Sequence, residues 1–311
     1  MNWSGKRVFV TGGAGFLGSH LCKKLESLGA EIGLLIHVNE SPLPARRYYG
    51  NLAESTPNLF HFLSKFKPEI VFHLASQPLV SVAMLNELET LQVNVGGTYN
   101  LLHACRSIHG VKSFVHISTD KVYGNTNPIT KDSIPAGTLH PYNASKMASD
   151  YLAQMYSNFF DVPMVIIRNS NVYGAGDKHF DRIVPRTIRQ VLLGKKPIIR
   201  GDGSSTRDYI HVDELVGGYI RAAELPYEKK LSILNLSGFN HSVFGIVDTI
   251  LEKMRRVDLA PIFEDQWKGE IPHQHIENDL AKELIGWNPQ TDLKDGLDKT
   301  IPWYREFLSG K

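Results

Sequence analysis

Apolar positions along the 311-residue chain follow two alternating patterns. Short apolar runs read as strands buried on both faces: Arg7 to Thr11, Glu31 to Ile36, Ile70 to Ala75, Phe114 to Ser118 and Met164 to Ile167. Between them the apolar residues recur at helical spacing, as at Phe16, Leu17, Leu21, Leu25 and Leu28, and Gly29 closes that stretch. A long helical pattern ending in NVGGTYNLLHACRSI precedes the fourth strand, and Tyr142 to Phe160 forms another helix after it. Strands alternating with helices predict an α/β chain with right-handed crossovers and a doubly wound parallel sheet carrying helices on both faces.

After residue 170 the pattern breaks into shorter pieces. Ile183 to Leu193, Asp213 to Glu224, Phe244 to Arg256 and Asp279 to Ile285 read as helices; Ile198-Ile199 and Asp208 to Val212 read as small strands. These predict a smaller C-terminal α/β lobe. The two regions are expected to divide as 1–170 and 171–311, interleaved, with one strand or helix returning to the first. HVNESPLPARRYYGNLAESTPN, residues 37–58, is rich in proline and polar residues and predicts a long surface connection.

Composition narrows the classes. Charged residues make up 21% and hydrophobic ones 42%, and the formal charge is +2, with the basic pairs scattered. A solvated surface explains such pairs, so no nucleic-acid partner is expected. No stretch reaches the length of a membrane span, and the opening MNWSGKRVFVTGG lacks the apolar core of a signal peptide. Cys22 and Cys105 stand far apart without metal-ligand spacing. A reduced, cytoplasmic, metal-free protein is therefore expected.

TGGAGFLG, residues 11–18, joins the first strand to the first helix, with Gly12, Gly15 and Gly18 spaced as G-x-x-G-x-x-G. Glycine permits the tight turn and lets backbone N–H groups approach a pyrophosphate at the positive end of a helix. A plain turn is the competing explanation. Placement inside a first strand–helix–strand unit favours a Rossmann dinucleotide site, with 1–170 as the cofactor domain and 171–311 as the substrate lobe. The second strand ends in Ile36 and His37 rather than a ribose-binding carboxylate, and Arg46 and Arg47 follow on the next segment. NAD and NADP both remain open.

Tyr142 and Lys146, in HPYNASKMASDYL, lie one helical turn apart on a common face. A phenol near a fixed ammonium and an oxidised nicotinamide is expected to have a lowered pKa and to accept a hydroxyl proton. HISTDKVYGN, residues 116–125, sets Ser118, Thr119, Asp120 and Lys121 at the end of a buried strand. That acid–base pair is either a solvated turn or proton chemistry.

With these motifs the chain resembles the extended short-chain dehydrogenase/reductase family, the sugar-nucleotide epimerases and dehydratases. The resemblance also rests on HLAS at 73–76, RNSNVYG at 168–174, RDYIHVDEL at 207–215, LIGWNP at 284–289 and the closing Trp303-Tyr304. It implies tightly bound, recycled NAD or NADP held by Gly12, Gly15, Phe16, Leu17, Gly18, His37, Asn51, Leu52, Leu74, Ala75, Ser76, Asn94, Tyr142 and Lys146. Asn94 would act by pinning backbone beside the cofactor. Hydride transfer would fall to Ser118 or Thr119 with Tyr142 and Lys146. A nucleoside-diphosphate sugar would meet Gln77, Ser118, Asn171, Arg182, Val184 and Arg207, the last offering a planar fork to a diphosphate. His273 stands near a place where relatives often carry arginine. A homodimer through helices around 85–107 and 142–160 is also implied.

An Asp after Thr at this strand end resembles the 4,6-dehydratases, and Asp120 followed by Lys121 resembles the branch acting on CDP-glucose or UDP-N-acetylglucosamine. The expected product is a 4-keto-6-deoxy sugar nucleotide, with Asp120 as acid at C6 and the C5 base unassigned. A C4 epimerase or 4-keto-sugar reductase is the alternative on this scaffold, and a noncatalytic dinucleotide sensor is a third.

Overall fold

The computed structural model describes residues 1–37, 41–54, 57–136, 140–226, 231–265 and 271–310. The chain opens with β1 (Arg7–Thr11), α1 (Phe16–Ser27), β2 (Glu31–Ile36), β3 (Arg46–Tyr49), α2 (Pro57–Phe66) and β4 (Ile70–His73). Helices α3 (Val80–Leu85), α4 (Glu87–Leu91) and α5 (Gly97–Ile108) follow, α4 and α5 being joined by a widened π-type turn at Gln92–Gly96. Next come β5 (Ser113–Thr119), a 3₁₀ turn at Asp120–Tyr123, α6 (Pro141–Phe160) and β6 (Met164–Asn169).

The second half contains β7 (Asn171–Tyr173), α7 (Ile183–Leu192), β8 (Ile198–Arg200), β9 (Thr206–His211), α8 (Val212–Ala223), β10 (Leu231–Leu236) and β11 (Phe239–Ser242). It ends with α9 (Val243–Met254), β12 (Ile262–Glu264), α10 (Asp279–Ile285) and α11 (Leu293–Ser309).

Seven parallel strands form the central sheet in the order β10-β6-β5-β4-β1-β2-β3. This is the expected doubly wound α/β sheet. The winding reverses between β1 and β4, the crevice where such sheets bind ligands beyond their carboxyl ends. Alternate residues of each strand face opposite layers. Val8 and Val10 pack with Leu21, Leu25, Leu215 and Trp287, toward α1, α8 and α10. Phe9 packs with Leu59, Leu63, Leu101 and Ala153, toward α2, α5 and α6. Burial on both sides is why these strands read as unbroken apolar runs.

A second core joins α7, α9 and α11, with Ile188, Ile199, Ile250, Leu297 and Tyr304 among its buried residues. β11, β9 and β7 make a three-stranded sheet there, and β12 pairs with β8. No described helix is long and apolar enough to cross a membrane.

The 37–58 segment differs from expectation. β3 forms inside it and pairs with β2, and α2 begins at its end, so it is not simply a surface connection; residues 38–40 and 55–56 lie outside the described ones. Arg46-Arg47-Tyr48-Tyr49 escapes notice as a strand because only Tyr48 is buried, as suits a sheet edge.

Candidate active site

β5 delivers the acid–base pair. Its last three residues, Ile117, Ser118 and Thr119, are buried, and the 3₁₀ turn begins at once with Asp120, 2% exposed. Thr119 caps that turn: its Oγ1 accepts from the Lys121 amide at 3.3 Å and donates to Asp120 Oδ1 at 2.9 Å. Lys121 Nζ donates to Asp120 Oδ2 at 2.8 Å and to Gln274 Oε1 at 2.6 Å. Asp120 is buried and Lys121 half-buried, so the two form an ordered ion pair rather than a solvated turn.

α6 brings the phenol and the ammonium to the same place. His140 caps the helix, its Nδ1 accepting from the Tyr142 amide at 3.2 Å, and Pro141 occupies a first-turn position where no N–H is needed. The Tyr142 hydroxyl is hydrogen-bonded with Thr119, so Thr119 joins Tyr142 to Asp120. One turn on, Lys146 Nζ donates to the Ile117 carbonyl at 2.6 Å.

Burial and neighbouring charges set the ionisation of both groups in the protein alone. Burial, then the charge of Asp120, pushes the Tyr142 phenol up to about 12, against the opposing pull of Arg182 and Thr119. Burial pushes the Lys146 ammonium down to about 8, with Asp150 opposing. Lys146 in turn holds two buried histidines neutral: burial and its charge lower His73 to about 3 and His116 well below its ordinary value. The His73 tautomer follows from its partners. Thr98 Oγ1 donates to the Asn94 carbonyl at 2.7 Å and so accepts from His73 Nε2 at 2.9 Å, leaving Nδ1 to accept from Thr11 at 2.8 Å.

Ser118 takes a different partner from Thr119. Its hydroxyl donates to Asp150 Oδ2 at 2.7 Å, inside a buried network with Arg168, rather than sharing the Tyr142 hydroxyl. Asp150 lies two turns beyond Tyr142 on the same helix face as Lys146, a spacing that was legible in the sequence but passed over there.

The glycine turn closes on the exit of β4. Gly12 has φ +70°, and a Cβ there would stand 2.8 Å from the Ala75 amide nitrogen; one on Gly18 would collide with the Gly12 carbonyl. Leu74 and Ala75 amides donate to Thr11 O and Thr11 Oγ1, both at 3.2 Å. Gly15 is the N-cap of α1 and supplies no side-chain cap, no acid occupies the first turn, and Phe16 and Leu17 open the helix. The free N–H groups and positive helix end suit a pyrophosphate.

Other predicted residues sort by what holds them. Asn94, in the π-type turn, accepts from the Gln77 amide at 2.7 Å and donates to the Gln77 carbonyl and Ser145 Oγ, a pinning geometry. The Gln77 side-chain amide is spent on Leu79 and Thr90. Ser76 is half-buried beside it. His37 is exposed just past β2. Asn51 turns to Glu54 and the Ala53 amide, while Leu52 is buried and its carbonyl accepts from Asn100 at 2.7 Å.

Arg46 pairs with Glu31 at 2.8 Å and stands opposite Gly33, near the wrong end of the sheet for a ribose; Arg47 donates to the Ser41 and Leu43 carbonyls. In the lobe, Arg182 donates to buried Asp177 at 2.9 Å and its charge reaches Tyr142. Val184 has its side chain buried in the lobe core. Asn171 donates to the Asp208 carbonyl at 3.2 Å. Arg207 donates to the Thr206, Ile271 and Pro272 carbonyls, and His273 meets Thr206 Oγ1 at 3.2 Å. His20 was missed: it ties α1 to the lobe through Asp213 and the Ala175 carbonyl, both at 2.8 Å.

Residues 8–237 match the model of the NAD dependent epimerase/dehydratase family. The chain belongs to that family. The family's cofactor is a nicotinamide dinucleotide, and the glycine turn and uncapped α1 fit one. Among relatives, the CDP-glucose 4,6-dehydratase of Salmonella typhimurium is 30% identical, the match covering 99% of this chain and 93% of that one. The UDP-glucose 4-epimerase of Mycolicibacterium smegmatis is 32% identical, over 96% and 98% of the two chains. The crystal structure of UDP-glucose 4-epimerase from Thermotoga maritima with UDP-glucose superposes with a TM-score of 0.90 at 27% identity, covering 97% and 99%. Family members of both reaction types thus lie at similar distance from this one.

Proposed function

We propose that this family member is a nucleoside-diphosphate-hexose 4,6-dehydratase, producing a 4-keto-6-deoxy sugar nucleotide. The observation that carries the reading is the Asp120–Lys121 ion pair, its carboxylate buried and bonded to Thr119, set beside Tyr142. An epimerase has no task for a second acid and base beside the phenol, and a dehydratase does.

A nicotinamide held beside the glycine turn, Tyr142 and Lys146 would supply the hydride acceptor for C4 and the hydride donor for C6, and its positive charge would favour the Tyr142 phenolate. That phenolate takes the C4 hydroxyl proton, with Lys146 and Thr119 orienting it. The keto group then acidifies the C5 proton. Moving one proton from Lys121 to Asp120 turns the resting ion pair into a neutral amine beside a carboxylic acid, without change of net charge. The amine takes the C5 proton, the acid protonates the departing C6 hydroxyl, and water leaves. As hydride reaches C6, Lys121 returns its proton to C5, and the proton that Tyr142 took from the C4 hydroxyl then passes to Lys121, which restores both the ion pair and the phenolate.

Arg207 and Asn171 lie in the lobe where a sugar diphosphate would bind, with Arg182 nearer Tyr142; residues 1–170 hold the cofactor and 171–311 chiefly the substrate. NAD suits the β2 end better than NADP, because Arg46 is engaged with Glu31 away from it. A second copy of the chain is the proposed cover for the apolar surface of α3 to α6, where Leu85 is 87% exposed and Leu88, Tyr99 and Phe159 are also exposed. The free buried thiols of Cys22 and Cys105 suit the cytoplasm.

A C4 epimerase is the second reading, favoured by the 32%-identical epimerase relative. UDP-, CDP-, GDP- and dTDP-hexoses offered to the purified enzyme, with products weighed by mass spectrometry, separate the two. Loss of one water is expected. An isomer of unchanged mass from one of them, with no water loss from any, would establish the epimerase instead.

A further inference from the structure

Lys121 has two acceptors of different origin. Asp120 belongs to its own turn, whereas Gln274 lies 153 residues along the chain. Gln274 sits in an extended strap, residues 271–278, and the strap is tied on both sides. The Gln274 amide donates to the Thr206 carbonyl at 3.1 Å, and its carbonyl accepts from Asn240 Nδ2 at 2.9 Å. The next residues bind Asn127 and Ile129 beyond the catalytic turn, and the fully buried Asp208 carboxylate accepts from the Ile276 amide at 2.7 Å.

The Gln274 side chain is therefore placed by its backbone. It is 1% exposed, and its Nε2 has no hydrogen-bond partner among the described residues. An ammonium has no acceptor, so the amide oxygen must face Lys121 and the donor end goes unsatisfied. A buried amide left half-paired calls for a task at its paired end. The same strap offers the Ile271 and Pro272 carbonyls to Arg207.

We infer that Gln274 is a positioning residue that holds the Lys121 ammonium against Asp120, so that the substrate lobe sets the geometry of the acid–base pair. The inference rests on the dehydratase reading. A neutral amide suits this place because it accepts a hydrogen bond without adding a second negative charge. Asp120 on its own turn pairs with Lys121, and Tyr142 on α6 feels the charges of Asp120 and of Arg182 at the start of α7. On the strap itself, His275 turns to Asp208 and His273 to Thr206.

The test compares Gln274→Leu and Gln274→Glu with the wild type, as full-length enzyme with its cofactor, on whichever sugar nucleotide loses water. Gln274→Leu should lower kcat for water loss on the order of 10²-fold, because the pair is misplaced, with KM little changed. First-turnover reduced-nicotinamide absorbance should persist, since C4 oxidation does not use Lys121. Gln274→Glu keeps the acceptor but sets a second carboxylate beside the amine. It should restore part of kcat and shift the falling limb of the kcat–pH profile to higher pH, because the resting ion pair carries a protonated lysine and the added carboxylate holds that proton more tightly.

A Gln274→Leu enzyme with unaltered kcat and pH profile would overturn the inference, whatever its melting temperature. If no sugar nucleotide loses water even in the wild type, the dehydratase reading fails on its own. Crystal structures of the wild type and Gln274→Leu then decide the positioning claim: an unmoved Lys121 overturns it, and a Lys121 swung away from Asp120 supports it.

Discussion

Arg168 closes on Asp150 with two hydrogen bonds, Nε to Oδ2 at 3.0 Å and Nη2 to Oδ1 at 2.8 Å, with both side chains all but excluded from water. Ser118 donates to the same Oδ2, and Arg168 Nη1 donates to the Tyr123 hydroxyl, which donates to Asn235. The network locks β5, β6, β10 and α6 together directly beneath the reacting groups. Removing one partner strands a buried charge, so Arg168→Leu should lower unfolding free energy by about 3–5 kcal/mol in urea titrations. A loss under about 1 kcal/mol would mean the pair is solvated or replaceable.

Ser118 and Thr119 are adjacent but differently employed. Ser118→Ala should cost stability, about 1–2 kcal/mol, since Asp150 loses a donor. Its kcat should stay within about threefold of wild type, whereas Thr119→Val should lose on the order of 10²-fold by uncoupling Tyr142 from Asp120. Equal losses of turnover in the two variants would place Ser118 back beside the phenol.

Asp120 and Tyr142 should fail at different steps. Tyr142→Phe removes the group that accepts the C4 proton, and kcat should fall about 10²–10⁴-fold with no reduced nicotinamide formed. Asp120→Asn should still reduce the nicotinamide in the first turnover, yet lose water at least about 10²-fold more slowly. Stopped-flow absorbance together with mass spectrometry reads both steps. If Asp120→Asn slowed oxidation as much as water loss, it would not be the acid at C6.

At the far end of the sheet, Glu69 clamps β1 to β4. Burial would raise its pKa, but hydrogen bonds from the Lys6 and Lys112 ammonium groups and the Arg7 amide outweigh this and lower it to about 2. A carboxylate with a depressed native pKa contributes stability above its unfolded value, and that contribution fades as pH falls from about 4.5 toward 2. Lys112 is largely exposed, which screens the interaction, so Glu69→Gln should cost only about 1–2 kcal/mol at neutral pH. Thermal unfolding of the two proteins should converge in acid; a constant difference down to the lowest pH would show that charge plays no part.

Much of this protein was legible in local pattern. The buried strands, the glycine turn and the Tyr142–Lys146 spacing are set by backbone periodicity, which a run of five to twenty residues already displays. α11 was missed because Pro302 lies inside it, and a proline within a helical pattern reads as a break. β3 was missed because an edge strand buries one residue in four and shows no apolar run. What only the tertiary structure decided was which partner each polar side chain takes. Ser118 turns to Asp150, Arg46 to Glu31 and Lys121 to Gln274, choices made by strand register and by packing between segments far apart in the chain. A hydrogen bond depends on where two groups end up in space, and their separation along the chain carries no record of it. The sequence therefore set Asp120 and Lys121 side by side at a strand end, and only the folded chain supplied the neighbours on which the chemistry proposed for them rests.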